Sequence, residues 1–180
     1  GIFVKDDDGK EYIEGLAGLW CTSLGFSNKR LVEAARRQMD HLPYMHQFAH
    51  RSTEPVIELA EKLIGIAPEP LQKAFFVNSG SEAIDTAIKL IWYYNNGRGK
   101  PEKKRIIARR RAYHGITLAA GHLTGLPYAR AGFDLPMSDR FFHVTTPSFY
   151  RDGLEGETED AFTDRLAREI ETLILALGPD

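Results

Sequence analysis

Residues 71–83 read LQKAFFVNSGSEA, an apolar segment that runs directly into a turn of small polar residues. The apolar part is typical of a buried β-strand, and the helical spacing of the apolar residues that follow predicts a helix over 81–95. A strand that leads into a helix in this way points the free N–H groups of the first helical turn at one spot. That spot suits an anion, because the positive end of the helix dipole lies there.

Three residues of this turn are candidate anion ligands: Ser79, Gly80 and Ser81. Gly80 allows a close backbone approach, and the two serines add hydroxyl donors. No Gly-Lys-Ser/Thr follows and three spaced glycines are missing, which favours a single small phosphate over a nucleoside triphosphate or a dinucleotide. In an alternative interpretation, Ser79 and Glu82 form a capping box whose side chains only satisfy the helix end.

The rest of the chain alternates predicted strands and helices. Asp8-Gly9 predicts a hairpin turn between two apolar runs. Helices are expected from the Asn28 cap to about residue 41, after Thr53, and from about 158 to 177, while RIIARR (105–110) and FFHVT (141–145) are expected strands. This alternation indicates an α/β fold with a parallel sheet. Because so few strands are visible, the sheet is expected to be part of a larger one.

A second candidate site is Tyr113-His114-Gly115, at the C-terminal end of the predicted strand 105–110. Ligands of open α/β sheets bind beyond such strand ends. Tyr113 can stack on a flat ring, and Gly115 leaves room for that ring. Alternatively, Tyr113 is merely half-buried at a strand end, and His114 is a structural histidine in a turn rather than a general base.

Aromatic residues in irregular segments are candidates for a substrate pocket. Trp20 lies in GLAGLWC, and Tyr44 and Phe48 lie in LPYMHQF. Core packing is the alternative for each of them. The pair His46 and His50 lies in a segment without helical character or an accompanying carboxylate, so no metal site is expected.

Composition limits the possible partners. The chain has 23 basic and 25 acidic residues, a net charge of −2, which gives no reason to expect nucleic acid or an acidic membrane as partner. A single Cys allows no internal disulfide. No apolar run is long enough to span a membrane, and no signal-peptide pattern is visible at the N-terminus. A cytoplasmic protein is expected.

Four stretches together resemble the class III aminotransferases, the pyridoxal-phosphate (PLP) enzymes of fold type I, and most closely the ω-transaminases of the amine:pyruvate type. The stretches are DDDGKEYIEGLAGLW (6–20), AARRQMDHLPYMHQF (34–48), FFVNSGSEAIDTAIKL (75–90) and YHGITLAAG (113–121). Each stretch alone is only weakly specific for the family, but the four stretches occur in the family order and span nearly the whole chain. The resemblance implies part of the small domain over 1–50 and the first part of the large parallel-sheet domain over 51–180.

The resemblance also implies roles for individual residues. The cofactor is expected to be PLP, with its phosphate held by the turn 79–81, above all Gly80 and Ser81, and with Tyr113 stacked on its ring. His114 and Gly115 belong to the same cofactor-binding group. Trp20, Phe48 and Tyr113 are expected to line the substrate pocket.

The implied activity is transfer of an amino group from an amine or ω-amino acid to a keto acid such as pyruvate, by a protein that is a homodimer when complete. Family members are longer and carry their Schiff-base lysine further along the chain, so no catalytic lysine is expected among these 180 residues. Two alternatives remain at this stage. One is another class III enzyme (an aminomutase, decarboxylase or racemase), and the other is an inactive fragment that binds a phosphate or a protein partner.

Overall fold

Local sequence signals account for the first elements of the chain. In the computed structural model, which describes residues 1–137 and 139–178, strand β1 (Phe3–Lys5) pairs antiparallel with β2 (Glu11–Ile13). The turn between them needs Gly9, whose φ of 80° is in the left-handed region. The hairpin predicted from Asp8-Gly9 is therefore confirmed.

Three helical segments follow the hairpin. The first, α1 (Ala17–Trp20), is a single left-handed turn, while α2 (Lys29–His41) and α3 (Glu54–Ile66) are regular helices. Asn28 caps α2 as predicted, since its side chain accepts hydrogen bonds from the N–H groups of Arg30 and Leu31. Pro55 occupies the first turn of α3, where its missing N–H costs nothing.

The rest of the chain is organised around a two-stranded parallel sheet. Its elements are α4 (Gly80–Gly97), β3 (Ile106–Arg109), α5 (Leu118–Leu123), a 3₁₀ turn (Pro127–Ala129), β4 (Phe141–Val144), α6 (Phe149–Asp152) and α7 (Glu159–Leu177). Strands β3 and β4 pair in parallel, with Ile106 opposite Phe141 and Arg109 opposite Val144. Ile88 of α4, Ala108, Leu123 and Phe141 form a buried cluster beside them. The parallel pairing expected from the alternation of strands and helices is confirmed.

The strand expected at 71–77 is not formed. In the described part of the chain this segment has no strand pairing, and Phe75 and Phe76 are exposed. Apolar, β-like residues become a strand only when a neighbouring strand accepts their backbone hydrogen bonds. Among the described residues the parallel sheet consists of β3 and β4 alone, so residues 71–77 stay extended and unpaired.

The chain divides between Ala74 and Phe75 into two compact units. We call residues 1–74 the N-terminal unit and the residues from 75 onward the C-terminal unit. The division at 50/51 concerns the domains of the complete protein, and it stays a prediction. Among the described residues, no helix is both long enough and apolar enough to cross a bilayer.

Candidate functional site

The turn Ser79–Ser81, called the SGS turn below, forms the start of α4. The Ser79 hydroxyl accepts a hydrogen bond from the Glu82 N–H at 3.2 Å, which confirms Ser79 as the cap. The Glu82 carboxylate accepts from the Asn78 N–H at 2.7 Å rather than from Ser79, so the capping box is displaced by one residue. The N–H groups of Gly80 and Ser81 belong to the first helical turn, where no intrahelical acceptor exists.

Both serine hydroxyls of the SGS turn are left with a proton to donate. The Ser81 oxygen accepts from the Ile116 N–H at 3.1 Å, and the Ser79 oxygen accepts from Glu82, so neither protein contact uses the hydroxyl hydrogen. A Cβ added at Gly80 would meet nothing within 4 Å, so the space beside this backbone is open. Hydroxyl and backbone donors around an open space at a helix N-terminus form a donor set that fits a phosphate group.

The Tyr113–Gly115 segment, called the YHG loop below, lies directly on the SGS turn. Gly115 is buried with φ at 132°, and a Cβ there would lie 2.5 Å from the Ser81 Oγ and 2.9 Å from the Ser81 Cα. Only glycine allows this approach. The structure thus brings together two motifs that lie about 35 positions apart in the sequence.

The side chain of Tyr113 is 60% exposed, so the alternative in which it is half-buried at a strand end is wrong for this chain. Its ring is free to contact a ligand. His114 is half-buried, and its backbone N–H is used within the loop. This geometry does not assign His114 a part in proton transfer.

Two residues that support the YHG loop were missed by the sequence analysis. Thr124 is fully buried, and its hydroxyl contacts the backbone of both His114 and Gly115. Asp85 of α4 accepts from the Ala120 N–H at 2.9 Å, which ties α5 to α4. Asp85 lies in the stretch 75–90 that carries the family resemblance and Thr124 lies outside all four stretches, but no local pattern indicates the contact that either side chain makes.

A buried histidine follows the same loop on α5. His122 is fully buried and stacks on Phe141 with 4.9 Å between the ring centroids. Its Nε2 accepts from the Met137 N–H at 3.0 Å, which requires a neutral ring protonated at Nδ1. Burial lowers the pKa of His122, in agreement with the neutral form. His122 is therefore a core residue of the C-terminal unit.

The predicted pocket aromatics Trp20 and Phe48 lie in the N-terminal unit and are exposed. Trp20 is 74% exposed and Phe48 is 79% exposed, so neither residue is packed in a core formed by the described residues. Trp20 ends the left-handed turn α1, which is held by Glu14 through its carboxylate contacts with the N–H groups of Leu16 and Gly18. A non-glycine residue such as Trp20, with φ at 65°, adopts this strained conformation only when its surroundings hold it there.

No group of three or more His, Cys, Asp or Glu side chains is placed to hold a metal ion in the parts of the chain that the structure describes. The available donors at the SGS turn are hydroxyl and amide hydrogens, which suit an anion and not a cation.

The geometry shows a helix start with hydrogen-bond donors, contacted by a glycine-containing loop that follows β3, and comparison with known proteins identifies the family. The family model for Aminotransferase class-III matches residues 1–179. The chain therefore belongs to the class III aminotransferases. Pyridoxal phosphate is the cofactor of this family, as the resemblance implied.

Individual relatives agree with this assignment. Gamma aminobutyrate transaminase 1, a mitochondrial protein of Solanum lycopersicum, is 50% identical over 181 residues, which are 100% of this chain and 35% of that protein. The omega transaminase from Pseudomonas jessenii, solved in complex with PMP, is 57% identical with a TM-score of 0.96. That match covers 99% of this chain and 39% of the solved chain.

A further solved structure is a thermostable omega transaminase variant engineered for the asymmetric synthesis of enantiopure bulky amines. It matches with 56% identity and a TM-score of 0.96, over 99% of this chain and 40% of its own. The variant has a Trp, a Phe and an Arg replaced, and the first two lie 28 positions apart.

These comparisons confirm the predicted family and the fold, which is part of a PLP-dependent transaminase. The chain spans little more than a third of the curated relative described above. The expected cytoplasmic location is wrong, because matching plant relatives are named as mitochondrial or chloroplastic proteins.

Proposed function

We propose that this chain is the part of an aminotransferase that holds the phosphate of the cofactor and contributes to the substrate pocket. The complete enzyme is proposed to move an amino group from an amine or ω-amino acid to a keto acid such as pyruvate. Bound PLP supplies the electron sink for this chemistry. The contribution of residues 1–180 is to bind the cofactor, orient its ring and shape part of the space for the substrate.

One observation carries the proposal: the YHG loop is in direct contact with the SGS turn. The Ile116 N–H donates to the Ser81 Oγ at 3.1 Å, and Gly115 approaches Ser81 so closely that no side chain fits between them. The proposed phosphate donors and the proposed ring-stacking tyrosine therefore belong to two segments in direct contact. We assign Ser79, Gly80 and Ser81 to the phosphate and Tyr113, with His114 and Gly115, to the ring.

As the family resemblance implies, Trp20, Phe48 and Tyr113 are each proposed to be substrate-binding residues of the complete protein. Trp20 and Phe48 lie 28 positions apart, the same separation as the Trp and Phe replaced in the bulky-amine variant. Both rings are exposed, so neither is engaged in a core of the described residues.

We propose that the lysine that carries the cofactor lies outside residues 1–180. The lysines of this chain share an exposed or half-buried setting: Lys5, Lys10, Lys29, Lys62, Lys73, Lys89, Lys100, Lys103 and Lys104. The Lys104 amine, for example, donates to the Trp92 carbonyl oxygen at 3.0 Å and to the Asn96 side chain. A lysine that bonds the cofactor requires an enclosed site. The complete protein is proposed to be a homodimer, as the family resemblance implies.

The first experiment measures the PLP dissociation constant of the complete protein and of two serine variants. Ser81→Ala is expected to weaken PLP binding about 10- to 100-fold, because a hydrogen bond to a charged group contributes about 1.5–3 kcal/mol. Ser79→Ala removes the cap and is expected to lower the stability of the fold by about 1 kcal/mol, with a smaller loss of affinity. Unchanged PLP affinity in Ser81→Ala would remove the phosphate assignment.

A second experiment tests the reaction itself. The complete protein is assayed with a panel of amines and ω-amino acids against pyruvate and other keto acids. Amino transfer to a keto acid supports the proposal. Decarboxylation, racemisation or amino migration without transfer would replace it by another reaction of PLP enzymes.

A further inference from the structure

The residues that follow α5 form hydrogen bonds with the YHG loop and with the segment that leads into it. The Arg111 N–H donates to the Gly125 carbonyl at 2.9 Å, and the Gly125 N–H donates to the Ala112 carbonyl at 2.8 Å. A Cβ at Gly125 would collide with the backbone of Arg109 and Arg110, so a glycine is required for this pairing. The preceding residue, Thr124, is thereby fixed next to the loop.

The Thr124 hydroxyl joins two consecutive residues of the YHG loop. Its oxygen accepts from the His114 N–H at 3.0 Å, and its hydrogen is donated to the Gly115 carbonyl oxygen at 2.9 Å. Thr124 is 0% exposed, so water does not replace these bonds. One side chain therefore satisfies the partly buried N–H of His114 and the buried carbonyl of Gly115, the residue with φ at 132°.

This contact matters because Gly115 is the loop residue with the most conformational freedom. With φ at 132°, it occupies a region that glycine alone populates readily, and it has no side chain that could hold it in place. On one side the loop is held by Ser81, which binds Ile116, and on the other by Thr124. Loss of either anchor leaves the backbone free to rotate at Gly115, and Tyr113 moves with it.

We propose that Thr124 is a positioning residue of the cofactor site, whose hydroxyl fixes the YHG loop so that Tyr113 faces the cofactor ring and Ser81 stays aimed at the phosphate. This inference rests on the proposed function, because it assigns Thr124 a purpose only if the SGS turn and the YHG loop hold the cofactor. Thr124 acts through the loop backbone and makes no contact with the cofactor itself.

The test compares isosteric and conservative variants in the complete protein. Thr124→Val keeps the shape and removes the hydroxyl, while Thr124→Ser keeps the hydroxyl. Thr158→Val is the matched control, because it removes a threonine hydroxyl that accepts a backbone N–H, that of Ala161 at 3.2 Å, at the start of α7. The readouts are the PLP dissociation constant, the visible circular dichroism of the bound cofactor and the melting temperature.

Thr124→Val is expected to weaken PLP binding about 10- to 100-fold and to change the dichroism band, which reports the orientation of the ring. Thr124→Ser is expected to restore affinity to within about threefold of the parent, and Thr158→Val to lower the melting temperature with unchanged affinity and dichroism. If Thr124→Val does not fold, Thr124→Cys replaces it, and the weaker hydrogen bonds of the thiol are expected to give an intermediate affinity.

Three results would overturn the inference. The first is PLP binding by Thr124→Val that equals that of the parent while Ser81→Ala is impaired, in which case the proposed function stands and Thr124 is merely structural. The second is an equal loss in Thr124→Ser and Thr124→Val, which would mean that the hydroxyl alone does not restore binding and that the fit of the whole side chain sets the affinity. The third is unchanged affinity in both Ser81→Ala and Thr124→Val, which would remove the cofactor site as well.

Discussion

The two units of this chain differ in what they bury. The C-terminal unit has a core made of buried apolar residues on both strands and three helices: Ile88, Ala108, Ala120, Leu123, Phe141, Val144, Phe162 and Leu166. In the N-terminal unit, all of which the structure describes, no residue is buried. Its helix α2 exposes apolar side chains such as Leu31, at 56%. Local signals therefore shape the N-terminal unit, whereas packing stabilises the C-terminal one.

The largest expected effect concerns catalysis by residues 1–180 alone. We expect no amine-to-pyruvate turnover and no single lysine that is labelled stoichiometrically after PLP addition and borohydride reduction. Every lysine is exposed or half-buried, and the described sheet has two strands. The measurement is peptide mapping of the reduced chain, with the complete protein as the positive control.

The contrary result is equally definite. Stoichiometric labelling of one lysine in residues 1–180, together with turnover, would mean that the cofactor-bearing lysine lies within this chain. It would also mean that the C-terminal unit forms a working site with the two strands described.

A pair of large-to-small substitutions tests whether core packing stabilises the C-terminal unit more than the N-terminal unit. Phe162→Ala is expected to lower the free energy of unfolding by about 3–5 kcal/mol, because Phe162 is 4% exposed and packs edge-on against Phe149. Leu31→Ala, made in the same chain, is expected to change it by less than about 0.5 kcal/mol. Urea unfolding of residues 1–180 measures both.

The same pair measured in the complete protein sharpens the comparison. If the rest of that protein covers α2, Leu31→Ala becomes costly there, and Phe162→Ala keeps its effect. Equal costs for the two variants in residues 1–180 would contradict the difference in burial.

The N-terminal unit shows what local sequence can predict. The Asp8-Gly9 turn and the Asn28 cap follow from residue type and position alone, because each involves neighbours in the chain. Residue patterns indicate only an irregular segment where the left-handed turn α1 lies, since left-handed Ala17 and Trp20 are unfavourable on propensity. The carboxylate of Glu14 that holds this turn carries no sequence signature.

The C-terminal unit shows where sequence reasoning stops. A helix that begins near 158, the parallel strands and, as one of two interpretations, the Ser79 cap follow from the sequence. The strand at 71–77 is wrong, because a strand needs a partner that sequence patterns do not reveal. The SGS turn and the YHG loop were found separately as motifs. Their contact, and the hydrogen bonds of Thr124 to the YHG loop, depend on the path of the backbone between the two motifs.

Substitutions of the two tryptophans, one in each unit, distinguish a role in the substrate pocket from a role in packing. Trp20→Gly is expected to raise kcat/KM for bulky aryl-alkyl amines relative to small ones by about tenfold or more, by opening space where the indole stood. Trp92→Phe removes the indole N–H bond to the Lys104 carbonyl at 3.0 Å, and is expected to lower the melting temperature without changing that ratio. Both are measured in the complete protein, and a uniform fall in activity for Trp20→Gly would favour a packing role.

The smallest expected effect is electrostatic and compares one ion pair from each unit. Two hydrogen bonds of 2.8 Å from the Arg165 guanidinium, with a further one from the Leu154 N–H, lower the pKa of Glu157 from 4.5 to about 2. The Glu157 side chain is 9% exposed, whereas that of Glu33, whose pKa is lowered by Arg36, is 46% exposed.

Because the folded-state pKa of Glu157 is depressed, its stabilising contribution is complete above about pH 4.5 and is lost as the pH falls towards 2. The parent chain is therefore expected to lose more stability between pH 7 and pH 3 than Glu157→Gln does, as measured by urea midpoints at the two pH values. Glu33→Gln is expected to differ less from the parent, since water screens an exposed pair. If Glu33→Gln reduced the pH dependence as much as Glu157→Gln, the burial of the ion pair would not distinguish the two units.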